Sequence, residues 1–152
     1  MASNTRYYFP ALGGIYGKLE PFALPILRIG LGAILIPHGA QKFFGAFGGM
    51  GYVKFVELFD KLGYKPGTLW LTLVALTEFG GGILLVLGLF TRFAALAVVI
   101  FMIVAVQFTS AKGFFWTQQG LEYSLLIGIV ALVLLIRGGG DYSLDRKLGR
   151  EL

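Results

Sequence analysis

Four long apolar stretches with almost no charge limit this chain more than any other feature. They cover about residues 23–44, 68–89, 93–111 and 120–136. A membrane-spanning helix needs ~20 mostly apolar residues, and backbone that faces lipid must satisfy its own hydrogen bonds. A β-barrel would need strands of alternating polarity, which these stretches lack. The sequence therefore predicts an all-α fold, a four-helix transmembrane bundle.

The composition agrees with this fold class. Charged residues make up 14% of the chain, whereas a soluble domain carries about 25%. We expect residues 1–152 to form a single integral membrane domain. The net charge of +5 suits contact with anionic membrane lipids, and no basic patch interleaved with aromatics indicates nucleic-acid binding. The chain has no cysteine, which excludes disulfides, thiol chemistry and cysteine-held metal centres.

The segments between the apolar stretches add two elements. Residues 52–62 place apolar side chains at helical spacing and charges on the other face, which predicts a short interfacial amphipathic helix between the first two apolar helices. Residues 137–152 form a charged C-terminal tail.

Loop charges predict an orientation, because positive residues are enriched on the cytoplasmic side. Four spans put both termini on one side, with Arg6, Lys18, Arg92, Arg137, Arg146, Lys147 and Arg150. The other side holds Lys42, Lys54, Lys61, Lys65 and Lys112. The excess favours cytoplasmic termini.

Ionisable residues inside the apolar stretches are the candidate functional residues. They are Arg28, His38, Lys42, Glu78 and Glu122, with Gln107 as a secondary candidate. A charge at membrane depth costs ~2.5–3.5 kcal/mol, so it marks function or a compensating partner. Arg28, His38 and Lys42 share one helix face. We expect one polar site inside the bundle, opening toward the interfacial helix, in which Arg28 reaches Glu78.

Each candidate also has a structural interpretation. Arg28 and Lys42 lie near helix ends and could extend to the headgroups. His38 could bind a carbonyl freed by the neighbouring proline. Glu78 could form a salt bridge that locks the bundle, and Glu122 could be solvated. One histidine and two carboxylates fall short of a four-helix di-iron set, so no metal is predicted.

Several short motifs occur in a distinctive order. They are Arg28, His38-Gly39 with Lys42, Glu78 before Gly81-Gly82, Leu87-Gly88-Leu89 with Thr91-Arg92, Glu122, and the run Gly138–Asp145. In this order the chain resembles the DoxX family of small four-helix membrane proteins, from about Leu27 to Leu148. The resemblance implies a multi-pass bacterial-type inner-membrane protein, often labelled an oxidoreductase, and a link to thiosulfate:quinone oxidoreduction.

The resulting hypothesis is a quinone-linked redox subunit. The predicted catalytic residues are Glu78, His38 and Glu122, and the predicted quinone-binding residues are Arg28, Lys42 and Gln107. With no electron carrier of its own, the chain would need a redox partner protein that carries haem, flavin or thiols. Two alternatives stay open: a non-enzymatic scaffold or accessory subunit of a larger membrane complex, and a small-solute transporter. A homo-oligomer would supply the symmetry that a transporter needs.

Overall fold

The computed structural model describes residues 7–151, so Arg6 of the orientation argument lies outside it. This part of the chain is all-α, as predicted. Its helices are α1 (Pro10–Leu19), α2 (Ala23–Phe44), α3 (Tyr52–Lys61), α4 (Gly67–Leu87), α5 (Thr91–Ser110), α6 (Glu122–Arg137) and α7 (Leu144–Leu148). Helices α2, α4, α5 and α6 correspond to the four apolar stretches, and α3 to the amphipathic segment. Helices α1 and α7 were not predicted.

Three helical runs in the described part are long and apolar enough to cross a membrane. They are Pro10–Phe44, Gly67–Leu87 and Thr91–Ser110. Helix α6 has 16 residues, which at ~1.5 Å per residue is about 24 Å long and short of the ~30 Å hydrocarbon core. The fold is that of a membrane protein with three candidate spans, and a fourth is not confirmed.

Helices α2 and α4 pack closely because glycines line their contact. A Cβ added to Gly32 would lie 2.5 Å from the carbonyl oxygen of Gly82, and one added to Gly39 would lie 2.4 Å from the backbone nitrogen of Phe79. Small residues let two backbones approach in this way. Helix α2 also continues through Pro37 without a break.

The core continues from α2 and α4 into α5 and α6. Buried side chains of α5, including Val98 and Met102, pack with Ile127 and Leu134 of α6. Many large apolar side chains point outward instead, as expected for a surface that faces lipid. Helix α1 has no buried residue.

Candidate functional site

The candidate site is built on an ion pair between α2 and α4. Glu78 is buried on the packed face of α4, and its carboxylate faces the Lys42 side chain near the end of α2. The Lys42 Nζ donates a hydrogen bond of 2.8 Å to Oε1 of Glu78. Side-chain exposure is 15% for Lys42 and 6% for Glu78. Both charged groups are therefore largely shielded from solvent, the carboxylate more than the ammonium group.

The second oxygen of this carboxylate has spare hydrogen-bonding capacity. Oε2 of Glu78 lies 2.6 Å from Nζ of Lys42, and Lys42 is the one described residue that forms a hydrogen bond or ion pair with this carboxylate. An ionised carboxylate offers about four lone-pair sites. Glu78 is thus neutralised by one cation while keeping unused acceptor sites.

Helix α3 covers this end of the α2–α4 pair. The Phe55 ring lies 5.7 Å from Nζ of Lys42, a cation–π contact. The Tyr52 ring stacks on Phe43 of α2, with centroids 6.3 Å apart, and the Tyr52 hydroxyl lies 2.7 Å from Oγ1 of Thr72 on α4. The amphipathic helix is therefore attached to both helices that supply the ion pair.

His38 lies one helical turn before Lys42. Its side chain is exposed, and its backbone carbonyl accepts a long contact of 3.5 Å from Nζ of Lys42. The imidazole makes no hydrogen bond with the described residues. It is the exposed neighbour of the ion pair.

Arg28 does not join this site, and the predicted Arg28–Glu78 pairing is wrong. Arg28 is 2% exposed, and its guanidinium donates to the carbonyls of Leu85 and Val86 in the last turn of α4. It also donates to the carbonyls of Gly139 and Tyr142. Four backbone acceptors at its own depth satisfy this arginine, so it has no reason to extend about two helical turns toward Glu78.

The C-terminal tail supplies a second buried carboxylate, which the sequence analysis missed. Asp145 is 3% exposed and accepts hydrogen bonds from the backbone N–H groups of Phe90 and Thr91, at 2.7 and 2.9 Å. Its own N–H donates to the carbonyl of Gly88. The tail thus caps the start of α5. No local signal reveals this contact, because 54 residues separate Asp145 from Thr91.

The other two predicted residues lie apart from the ion pair. Glu122 begins α6 and lines a shallow depression with Trp116, Tyr123 and Leu126. Its carboxylate makes no hydrogen bond or ion pair with the described residues. The Gln107 side chain is exposed on α5, where only its backbone carbonyl accepts a hydrogen bond, from Ser110. The structure therefore brings together Lys42 and Glu78, with His38 beside them.

Among residues 7–151, no group of three or more His, Asp or Glu side chains could hold a metal ion. The polar chemistry of the described site comes from one carboxylate, one ammonium group and one imidazole.

Comparisons with known proteins identify the family of this chain. The DoxX family profile matches residues 23–112, which include Arg28, the ion pair and His38. An inner membrane protein of Escherichia coli, YqjF, is 32% identical over 136 residues, covering 88% of this chain and 98% of its own.

Two further relatives match at similar strength. A Haemophilus influenzae protein described as uncharacterized is 33% identical over 142 residues, covering 88% of this chain and 96% of its own. The Mycobacterium tuberculosis membrane protein Rv3486, also described as uncharacterized, is 30% identical over 145 residues, covering 86% and 84%. No solved structure matches the chain. From its sequence match and its apolar helices, this chain belongs to the DoxX family of integral membrane proteins.

Proposed function

We propose that this chain is a quinone-linked redox subunit of the inner membrane, working with a partner protein that carries the electron-transfer centre. The observation that carries the proposal is the buried Lys42–Glu78 pair with the exposed His38 beside it. A buried carboxylate with spare acceptor sites can take up or release a proton. The printed name of YqjF supports the inner-membrane location.

The donor and acceptor groups of the site fit a quinone headgroup. A quinone would supply a two-electron, two-proton redox couple. The His38 imidazole and the Lys42 ammonium group can donate hydrogen bonds to its two carbonyl oxygens, and the buried carboxylate of Glu78 lies against Lys42, with Oε2 2.6 Å from Nζ. Because Oε2 is covered, the flexible Lys42 side chain must move aside for a ligand to reach it.

We assign separate tasks to the three side chains. Lys42 binds and orients the headgroup. His38 donates to the headgroup at the exposed edge. Glu78 accepts or returns one of the two protons, the other exchanges with water, and the two electrons pass to or from the centre carried by the partner protein. Arg28 is committed to backbone carbonyls, so the proposal does not use it, and roles for Glu122 and Gln107 stay predictions.

The same proposal includes α6 as a fourth span and cytoplasmic termini. A helix of about 24 Å can cross if the bilayer thins locally, at a cost of fractions of a kcal/mol per Å. Arg137 at its end can extend to the headgroups. Attaching a reporter to the C-terminus and measuring protection from added protease tests the orientation.

Identification of bound quinone tests the function. The protein is purified in mild detergent, and its extracted lipids are analysed by mass spectrometry for wild type, Glu78→Gln and His38→Ala. We expect quinone in the wild-type extract and at least a tenfold loss in both variants. Glu57→Gln is the matched control, because Glu57 is exposed on α3 and loses the same charge.

Two outcomes contradict the redox proposal: no quinone in the wild-type extract, or equal amounts in wild type and both folded variants. A protein partner that co-purifies with all variants, without quinone, would instead favour an accessory subunit. Helix α1 supports that second candidate, because it is apolar and has no buried residue, and so offers a surface to another membrane protein.

A further inference from the structure

We propose that the groove between the end of α6 and the C-terminal tail binds the phosphate of an anionic phospholipid. Three arginines line this groove, Arg137, Arg146 and Arg150, together with the carboxylates of Asp145 and Glu151. The site is separate from the Lys42–Glu78 pair and does not depend on the proposed redox function.

The two carboxylates in the groove are committed to other partners. Both oxygens of Asp145 accept backbone hydrogen bonds at the start of α5. Glu151 forms an ion pair of 3.3 Å with Arg92 and accepts from the backbone N–H of Gly139. Both acidic groups are therefore bound to other partners, and neither forms an ion pair with the three arginines of the groove.

Two of the arginines are free to bind an anion. Arg137 and Arg150 are exposed, and neither side chain makes a hydrogen bond or ion pair with another described residue. Arg146 pairs with Asp141 at the surface. A guanidinium donates two parallel hydrogen bonds to a phosphate, so Arg137 and Arg150 together can hold one phosphate from two sides.

The surroundings favour a lipid phosphate over free phosphate. Ile136 directly precedes Arg137 and is 63% exposed, and Leu132 one turn earlier is 45% exposed. These apolar side chains offer acyl chains a path along α6 while the headgroup reaches the arginines. Basic residues at the end of a membrane helix attract anionic lipids.

Native mass spectrometry of the detergent-solubilised protein tests this site. Wild type and Arg137→Gln/Arg150→Gln are each titrated with phosphatidylglycerol and with phosphatidylcholine. We expect wild type to prefer phosphatidylglycerol and the double variant to bind it about tenfold more weakly. The control is Lys54→Gln/Lys61→Gln, which removes two exposed charges from α3 at the other end of the bundle.

Equal phosphatidylglycerol binding by wild type and the double variant would overturn the proposal, as would an equal loss in the control. Inorganic phosphate is titrated separately. Millimolar phosphate that displaces the lipid completely, with no preference for phosphatidylglycerol over phosphatidylcholine, would overturn the lipid assignment. Should the double variant misfold, each single arginine variant is measured and is expected to bind about threefold more weakly.

Discussion

Buried charges bind different kinds of partner at the two ends of the α2–α4 pair. At the tail end, Arg28 and Asp145 bind backbone groups, so each charge completes the hydrogen bonding of a helix end or the tail. At the α3 end, Lys42 and Glu78 bind each other, and neither oxygen of Glu78 has another partner among the described residues. A charged group whose hydrogen bonds all go to backbone atoms stabilises the fold. A side-chain ion pair with unused acceptor sites can exchange partners. We therefore place structural work at the first end and function at the second.

Removing the charge at the tail end should have the largest effect on stability. Arg28→Met strips the carbonyls of Val86, Gly139 and Tyr142 of their donor and should lower the free energy of unfolding by about 3 kcal/mol. Denaturant titration in detergent measures it. Arg28→Lys should restore only part of the lost free energy of unfolding, because an ammonium group lacks the planar set of donors of a guanidinium. A stable Arg28→Met protein would refute the structural role.

Pushing α2 away from α4 at Gly39 should destabilise the end of this helix pair that carries Lys42 and Glu78. Gly39→Ala places a methyl group 2.4 Å from the backbone nitrogen of Phe79, and we expect a loss of about 2 kcal/mol from overpacking. Gly30→Ala is the control, since nothing lies within 4 Å of its added Cβ. Thermal unfolding of both variants compares them, and equal melting temperatures would argue against the close packing.

Replacing one carboxylate oxygen of Asp145 should weaken its cap on α5. Asp145→Asn keeps one acceptor oxygen but replaces the other with an NH2 group, which cannot accept a hydrogen bond from the backbone N–H of Phe90 or Thr91. We expect a loss of about 1–2 kcal/mol. Asp141→Asn makes the same change in a surface ion pair and should cost below about 1 kcal/mol. The denaturant midpoints of the two variants are compared. A larger loss of stability in Asp141→Asn than in Asp145→Asn would contradict the role of Asp145 as a cap.

The smallest expected effect on stability is at the candidate site. A double-mutant cycle of Lys42→Met and Glu78→Gln should give a coupling energy of about 1 kcal/mol, because Lys42 is partly exposed and can turn to water when its partner is lost. A coupling above about 3 kcal/mol would mean that the pair holds the bundle, as the structural interpretation of Glu78 requires.

The sequence identified both members of the ion pair but not their pairing. Glu78 and Lys42 could be singled out because a charge in an apolar stretch is visible in the chain itself. The expectation that Arg28 reaches Glu78 pairs two opposite charges that both lie in apolar stretches. That reasoning could not include the backbone carbonyls that surround Arg28, some of them supplied by residues 111 and 114 positions away.

The sequence by itself determined the membrane class, the all-α fold and the apolar helices, because hydrophobicity and backbone hydrogen bonding in lipid act locally along the chain. Only the tertiary structure decided which charges meet. Close approach at Gly39 brings Lys42 to Glu78 across 36 positions, and the folded tail brings Asp145 to the start of α5. Such contacts depend on helix rotation and on backbone groups that every sequence shares, so no residue pattern specifies them.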